Sequence, residues 1–483
     1  MKYSDFQELV RNKGPFQLTL TTKEVLGDLD TPLSYYLKMK SAYEDGHSFL
    51  FESAEKKEES GRYSIIGFDP YLIFKAKGQK VLLSGLIEDE LCVGNPFLIL
   101  KYLVKSLKVR DQNQNDIITA GAFGYVSYDS VRFFEKIPDI KPRVIGCFDM
   151  YFIFPSKIAI FDNYAGRITL ISVSPNGNEC EEALRELKLF LRFPIPTPPR
   201  KDRFVEKMES GVSKQKFKEM VDAAKEYIVN GDVIQVVLSQ RFKVFIDAES
   251  MDVYRALRLI NPSPYMFLLN FPEYSLIGSS PETMVRMRDR LIQLNPIAGT
   301  KPRGKTKEED QRLEKDLLSD EKELAEHVML VDLARNDVGR VSKIGSVSVE
   351  RFLEVEKYSH VMHIVSSVKG VMRDSLDAFD VFASCFPAGT VIGAPKIRAM
   401  EIIEELEEEK REFYAGATGY FLFSGDMDFC ITIRSLLMRG KELYIQAGAG
   451  IVSDSIPENE YYETVNKAKA LTETLRDLKE ILA

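Results

Sequence analysis

In the first third of the chain, short stretches alternate between apolar and polar residues. SFLFES (48–53), KVLLSG (80–85) and KIAIFD (157–162) carry the period of two expected of half-buried strands. Near 95–108 and 178–191 the spacing becomes helical. FPIPTPPRKDR (193–203) then places four prolines in six positions, which favours an extended linker over helix or strand. The pattern predicts an N-terminal α+β domain over 1–192, a proline-rich linker over 193–210 and a second domain over 211–483.

Beyond the linker, Ser213 is placed to cap a helix running to about Val229, with Asn230-Gly231 as its stop. A strand follows at 232–245, another near 290–297, and a helix opens at GAPKIRAM (393–400). Three strands, 416–424, 428–438 and 442–452, succeed one another with short turns and predict an antiparallel meander leading into a C-terminal helix.

Two helices carry carboxylates where their own period asks for core residues. Glu323, Glu326, Leu330 and Leu333 share one stripe, and Glu460, Glu463, Lys467, Leu471 and Leu478 share another. Buried carboxylates without partners cost several kcal/mol. Two inward pairs therefore call for a shared countercharge, most simply a hard divalent cation with oxygen ligands. The competing explanations are solvated first turns on both helices and, for Glu323, a capping box begun by Asp320.

Composition narrows the class. The 45% hydrophobic and 29% charged content is that of an ordinary soluble globular protein. A net charge of −8 and the lack of a basic, aromatic-laced patch exclude nucleic acid as the main partner. No apolar run reaches membrane-spanning length, and the opening residues lack a signal-peptide core, so a membrane partner is not expected. Cys92, Cys147, Cys180, Cys385 and Cys430 are scattered without a CxxC pair, which fits the reducing cytoplasm and no zinc site. The chain has no tryptophan.

Nine short motifs fall in order: GSSPET (278–283), NPIAGTKPRG (295–304), EKELAEHVMLVDLARND (321–337), YSHVMHIVS (358–366), PAGTVIGAPKIRAM (387–400), FYAGATGY (413–420), ITIRS (431–435), QAGAG (446–450) and ENEYYETVNKAKA (458–470). Together they closely resemble the chorismate-utilising enzymes over essentially all of 211–475. The resemblance implies an α+β fold, two antiparallel sheets enclosing helices, with the active site between the sheets. It also implies Mg²⁺, with Glu326 and Glu463 as direct ligands and Glu323 and Glu460 acting directly or through metal-bound water. Glu282 matches the family's general acid for the departing hydroxyl, a role that needs a pKa raised by burial. His363 matches the histidine associated with the pyruvate-eliminating step. Arg434, opposite the apolar side of its strand, suits bidentate capture of the enolpyruvyl carboxylate. Ala298, Gly299, Thr300, Tyr414, Gly448, Ala449, Gly450 and Lys467 complete the expected substrate contacts. For the glycines, a close backbone approach to ligand competes with a tight strand bend.

Two positions separate the branches of the family. Ala298 stands where aminodeoxychorismate synthases carry a nucleophilic lysine, and alanine cannot form that adduct. Gln235 stands where isochorismate and salicylate synthases carry a lysine base, and a neutral amide cannot serve as one. Both favour the anthranilate-forming branch: ammonia in, hydroxyl out, then pyruvate lost as the ring aromatises. Those sibling activities, and an inactive tryptophan-binding regulator, are the alternatives. LFES (50–53), GRYS (61–64) and NPSPYMF (261–267) resemble that branch's tryptophan feedback site, with Glu52 and Ser53 receiving the ligand's charged groups and Pro264, Tyr265 and Met266 lining the indole pocket. No amidotransferase triad is visible, so a separate glutamine amidotransferase subunit is expected to supply the ammonia, making the assembly a hetero-oligomer.

Overall fold

The computed structural model describes residues 2–5, 7–8, 16–43, 46–54, 61–87, 90–111, 120–175, 177, 179–196, 208–357 and 361–476. The centre of the expected linker, Tyr358–His360 and Leu478 lie outside these residues.

Local signals set many boundaries. Lys80–Gly85 is a strand, and Pro96–Ser106 and Cys180–Phe190 are helices. The Ser213 hydroxyl accepts from Lys216 N and opens the helix Lys214–Val229. That helix stops at Asn230-Gly231, where Gly231 has φ +82°.

Strand Tyr63–Lys77 pairs along most of its length with Met150–Asp162, and two arms of antiparallel strands diverge from this central pair. The first passes through Ser48–Glu52, Tyr265–Asn270, Ser275–Ser280, Ser435–Arg439 and Glu442–Ile451 to Gln235–Phe245. The second passes through Gly121–Val126, Ala417–Leu422, Met427–Ile431, Thr283–Arg288 and Leu291–Leu294 to Val361–Val371. Each arm therefore takes strands from both sides of the linker. Among the described strands only Phe16–Leu20 with Leu107–Asp111 forms a parallel ladder.

The expected meander is corrected here. The segment 428–438 is two strands, Met427–Ile431 in the second arm and Ser435–Arg439 in the first, because the chain changes sheet between them. The strand expected near 290–297 is likewise two, Leu291–Leu294 and Ile297–Pro302.

A carboxylate helix backs each arm. Glu321–Gly339 buries Val331, Ala334 and Val338 in the larger core, and Pro457–Arg476 buries Ala468, Leu471 and Leu475 in the smaller one. Each large apolar side chain so buried contributes about 1.5–3 kcal/mol. These contacts hold the first two turns of both helices, where the glutamates sit, at the sheet ends. Lys322 at the start of one helix pairs with Asp454 just before the other at 3.0 Å, so the two first turns are neighbours.

Candidate active site

Glu282 and Arg434 occupy the two links by which the chain passes between arms. Glu282 lies between Ser275–Ser280 and Thr283–Arg288, and Arg434 between Met427–Ile431 and Ser435–Arg439. The links are side by side: Ile431 N donates to Glu282 O at 3.0 Å and Ser279 N to Arg434 O at 3.1 Å. The Ser280 hydroxyl donates to Ile431 O at 2.6 Å. Burial pushes the Glu282 carboxyl up to about 8, against the opposing effect of the Thr390 hydroxyl. At neutral pH it is an acid holding its proton, the state needed to protonate a leaving oxygen.

Arg434 is in no strand, which replaces the alternation argument for its direction. Its φ of +52° belongs to the crossover. Burial lowers its pKa, and among the described residues no carboxylate lies within ion-pair distance of it. A half-buried guanidinium without a countercharge is matched to an incoming anion. It shares a cavity of about 500 Å³ with Glu463 and Lys467.

The glycines of QAGAG have a reason that neither expectation contained. Gly448 and Gly450 lack the positive φ of a strained bend. A Cβ on Gly448 would stand 2.8 Å from the Tyr414 hydroxyl, and one on Gly450 would stand 2.4 Å from Gln235 Nε2. The missing side chains make room for Tyr414 and Gln235 to lie across the strand. The Ala449 side chain enters the core, leaving its backbone alone to face a ligand. Burial pushes the Tyr414 phenol up to about 12.

One glutamate of each pair reaches this same strand end. Gln235 Nε2 donates to Glu326 Oε1 at 3.1 Å, and that oxygen lies 4.0 Å from a Cβ on Gly450. Lys467 Nζ donates to Gly448 O at 3.0 Å and to Glu463 Oε1 at 2.7 Å. Gly448 and Gly450 are about 7 Å apart along an extended strand. Asp320 caps its helix by accepting from Lys322 N and Glu323 N, and the Glu323 carboxylate lies instead against Gly299, 3.1 Å from where a Cβ there would stand. Burial and the Glu326 charge raise the Glu323 pKa. Burial, with Glu463 adding and Ser455 opposing, raises that of Glu460. Of the four, Glu463 is exposed and the other three are half-buried.

These residues fit a magnesium ion. Among the described residues no three His, Cys, Asp or Glu side chains converge as a ready-made cage. Mg²⁺ asks for less: one or two carboxylates, with waters and substrate oxygens filling its octahedron. The Glu326 charge raises the Glu323 pKa and the Glu463 charge that of Glu460, so each pair is a hard oxygen donor set whose repulsion a dication would relieve.

His363 stands opposite Thr300 across the ladder joining Val361–Val371 to Ile297–Pro302, at a bulge over Ala298–Thr300 where Gly299 has φ +66°. Its Nδ1 lies 3.0 Å from Gly299 O. A carbonyl only accepts, so Nδ1 carries the proton and Nε2 keeps its lone pair. Burial lowers the ring's pKa and the Arg434 charge adds to this, while Gly299 O opposes it, so the imidazole is neutral at pH 7.

The residues expected at the second site also meet. Glu52 pairs with Met266 across the strand ladder. Glu52, Ser53, Pro264, Tyr265 and Met266 line one cavity of about 760 Å³. Motif reasoning missed how this cavity is charged. The Glu52 carboxylate already accepts from the Tyr254 hydroxyl at 2.6 Å and pairs with Arg258 Nε at 3.2 Å. Tyr265 donates to Asp428 at 2.9 Å, and Asp428 pairs with Arg286 at 2.8 Å. Arg286 and Asp428 are 142 residues apart on ordinary-looking strands, so no local spacing marks them.

Known proteins resemble this chain over most of its length. A chain from Aquifex aeolicus (strain VF5) named anthranilate synthase component 1 is 46% identical over 470 residues, covering 95% of this chain and 94% of its own. Its namesake from Acetivibrio thermocellus is 42% identical over 496 residues and covers 100% of both chains. The crystal structure of anthranilate synthase component I from Streptococcus pneumoniae TIGR4 superposes with a TM-score of 0.76 at 40% identity, covering 85% of this chain and 92% of that one. The menaquinone-specific isochorismate synthase of Escherichia coli shares the fold, with a TM-score of 0.73 at 19% identity and 98% coverage of both chains. Residues 46–473 match the family described as chorismate binding enzyme, and with that match over most of its length the chain belongs to this family.

Proposed function

We propose that this chain converts chorismate and ammonia to anthranilate and pyruvate, as the large component of an anthranilate synthase. The observation that carries the reading is the protonated Glu282 beside Arg434, in a site whose two branch-deciding positions are Ala298 and Gln235. Arg434 and Tyr414 would take the enolpyruvyl carboxylate, with Lys467 as a neighbouring positive charge. Glu282 would give its proton to the C4 oxygen as that leaves, while ammonia bonds to C2. His363, neutral and with a lone pair on Nε2, suits removal of the C2 proton as pyruvate is expelled. Glu326 and Glu463, seconded by Glu323 and Glu460, would hold Mg²⁺, which supplies charge neutralisation and orientation for the ring carboxylate.

The cavity between Ser48–Glu52 and Tyr265–Asn270 would take tryptophan as feedback inhibitor. It joins strands from both sides of the linker, so a ligand there can favour one relative arrangement of the 1–192 and 211–483 regions. The reaction consumes ammonia, and we assign its supply to a glutamine amidotransferase subunit. Chorismate, ammonium and Mg²⁺ incubated with the chain, with products separated by chromatography, test the reading. Anthranilate with equimolar pyruvate is expected. Aminodeoxychorismate or isochorismate as sole product overturns it.

A further inference from the structure

Gln235 is buried, with one end of its amide accounted for and the other not. Its backbone is held on two sides, opposite Ala394 and next to Val236, which pairs with Ile451, so the side chain starts from a rigid strand. Nε2 donates to Glu326 Oε1 at 3.1 Å. A carboxylate accepts only, so this contact fixes which way the amide points: a flipped amide would set oxygen against oxygen. The carbonyl Oε1 therefore faces away from Glu326, and among the described residues it has no hydrogen-bond partner. Gly450 admits the amide to this place, since a Cβ there would collide with Nε2. A buried acceptor left without a donor on a strand that borders the site is matched to something that brings a donor.

We propose that Gln235 Oε1 accepts a hydrogen bond from the incoming ammonia and aims the nitrogen lone pair at C2 of the ring. The proposal rests on the anthranilate-forming reading above. The nitrogen lone pair forms the bond to C2, both ring double bonds shift in turn, from C1–C2 to C1–C6 and from C5–C6 to C4–C5, and the C4–O bond breaks with its electrons on oxygen. That oxygen takes the Glu282 proton and leaves as water. The added nitrogen then gives up one proton, which restores the Glu282 acid. Nitrogen gains positive charge as it attacks, and the negative end of the amide dipole stabilises that charge without moving. Water donates to the same oxygen, but an amide cannot take its proton, so it stays a poor nucleophile. Gln235 thus has a positive role in choosing ammonia, beyond the lack of a lysine.

The test compares wild type with Gln235→Met, similar in length but with only a weakly accepting thioether in place of the carbonyl, in steady-state assays varying ammonium, chorismate and Mg²⁺ in turn. Wild type must first form anthranilate, and if it does not, the functional reading fails and not this proposal. The expected result is a KM for ammonium raised about tenfold or more, with the KM for chorismate and the half-saturating Mg²⁺ changed less than about threefold. An unchanged ammonium KM overturns the proposal. So does a parallel rise of all three constants, which would mean that Gln235 only props Glu326. If circular dichroism shows Gln235→Met misfolded, Gln235→Asn, which withdraws the carbonyl while keeping an amide, carries the same comparison, with the same two outcomes overturning it.

Discussion

Titrating Glu282 tests the site through stability and catalysis together. Its carboxyl is raised from 4.5 to about 8 chiefly by burial. The folded protein therefore binds a proton that the unfolded chain releases across this window. Stability is fully present below about pH 4.5 and is lost as pH rises through about 8. At about 1.36 kcal/mol per pH unit, the total is ~5 kcal/mol. At pH 7 about nine molecules in ten still carry the proton. Glu282→Gln keeps the shape and cannot titrate. Urea unfolding of both proteins across the window should show wild type losing ~5 kcal/mol relative to the variant toward alkaline pH. With saturating chorismate and fixed free ammonia, wild-type kcat should fall above about pH 8, and the variant should lose about 10²–10⁴-fold at pH 7. Fixing free ammonia matters because the ammonium pool also deprotonates with rising pH and would mask the fall. Parallel stability curves, or a wild-type kcat flat through that region, refute the assignment of Glu282 as a buried acid.

Three further outcomes follow from the geometry. Glu326→Ala should abolish Mg²⁺-dependent turnover while shifting unfolding by no more than ~1 kcal/mol, since the side chain is half-exposed; a large stability loss would recast Glu326 as structural. Gly450→Ala places a methyl 2.4 Å from Gln235 Nε2, the end of a flexible side chain, so turnover should drop at least tenfold with little change in midpoint denaturant. Equal loss of both would mean that the strand itself is displaced. Replacing Ser53 by a bulkier residue should relieve tryptophan inhibition with chorismate kinetics nearly unchanged, as it lines the cavity away from Glu282 and Arg434; inhibition that persists at wild-type strength counts against the second site.

Much of the local structure was legible. Ser213 marked its helix because a hydroxyl followed by a helical stripe and Asn-Gly is sufficient short-range information. Segment 428–438 misled for the same reason that strands are easy to find. Alternation reports that a stretch is half-buried and says nothing of which sheet it pairs with, so the break at Arg434 between two sheets left no mark in the period. Glu52 was found by motif, but Tyr254 and Arg258, which occupy its carboxylate, lie 202 and 206 residues away.

By itself the sequence determined which side chains are available: two glutamate pairs at helical spacing, an alanine at 298, a glutamine at 235 and glycines at 448 and 450. Those are matters of identity and short spacing. Tertiary structure decided what each group meets. It brought Glu326 and Glu463 to one strand end, buried Glu282 until it held its proton, left Arg434 without a countercharge and turned Gln235 Oε1 away from Glu326. Desolvation and pairing depend on neighbours hundreds of residues distant, and no local pattern encodes them.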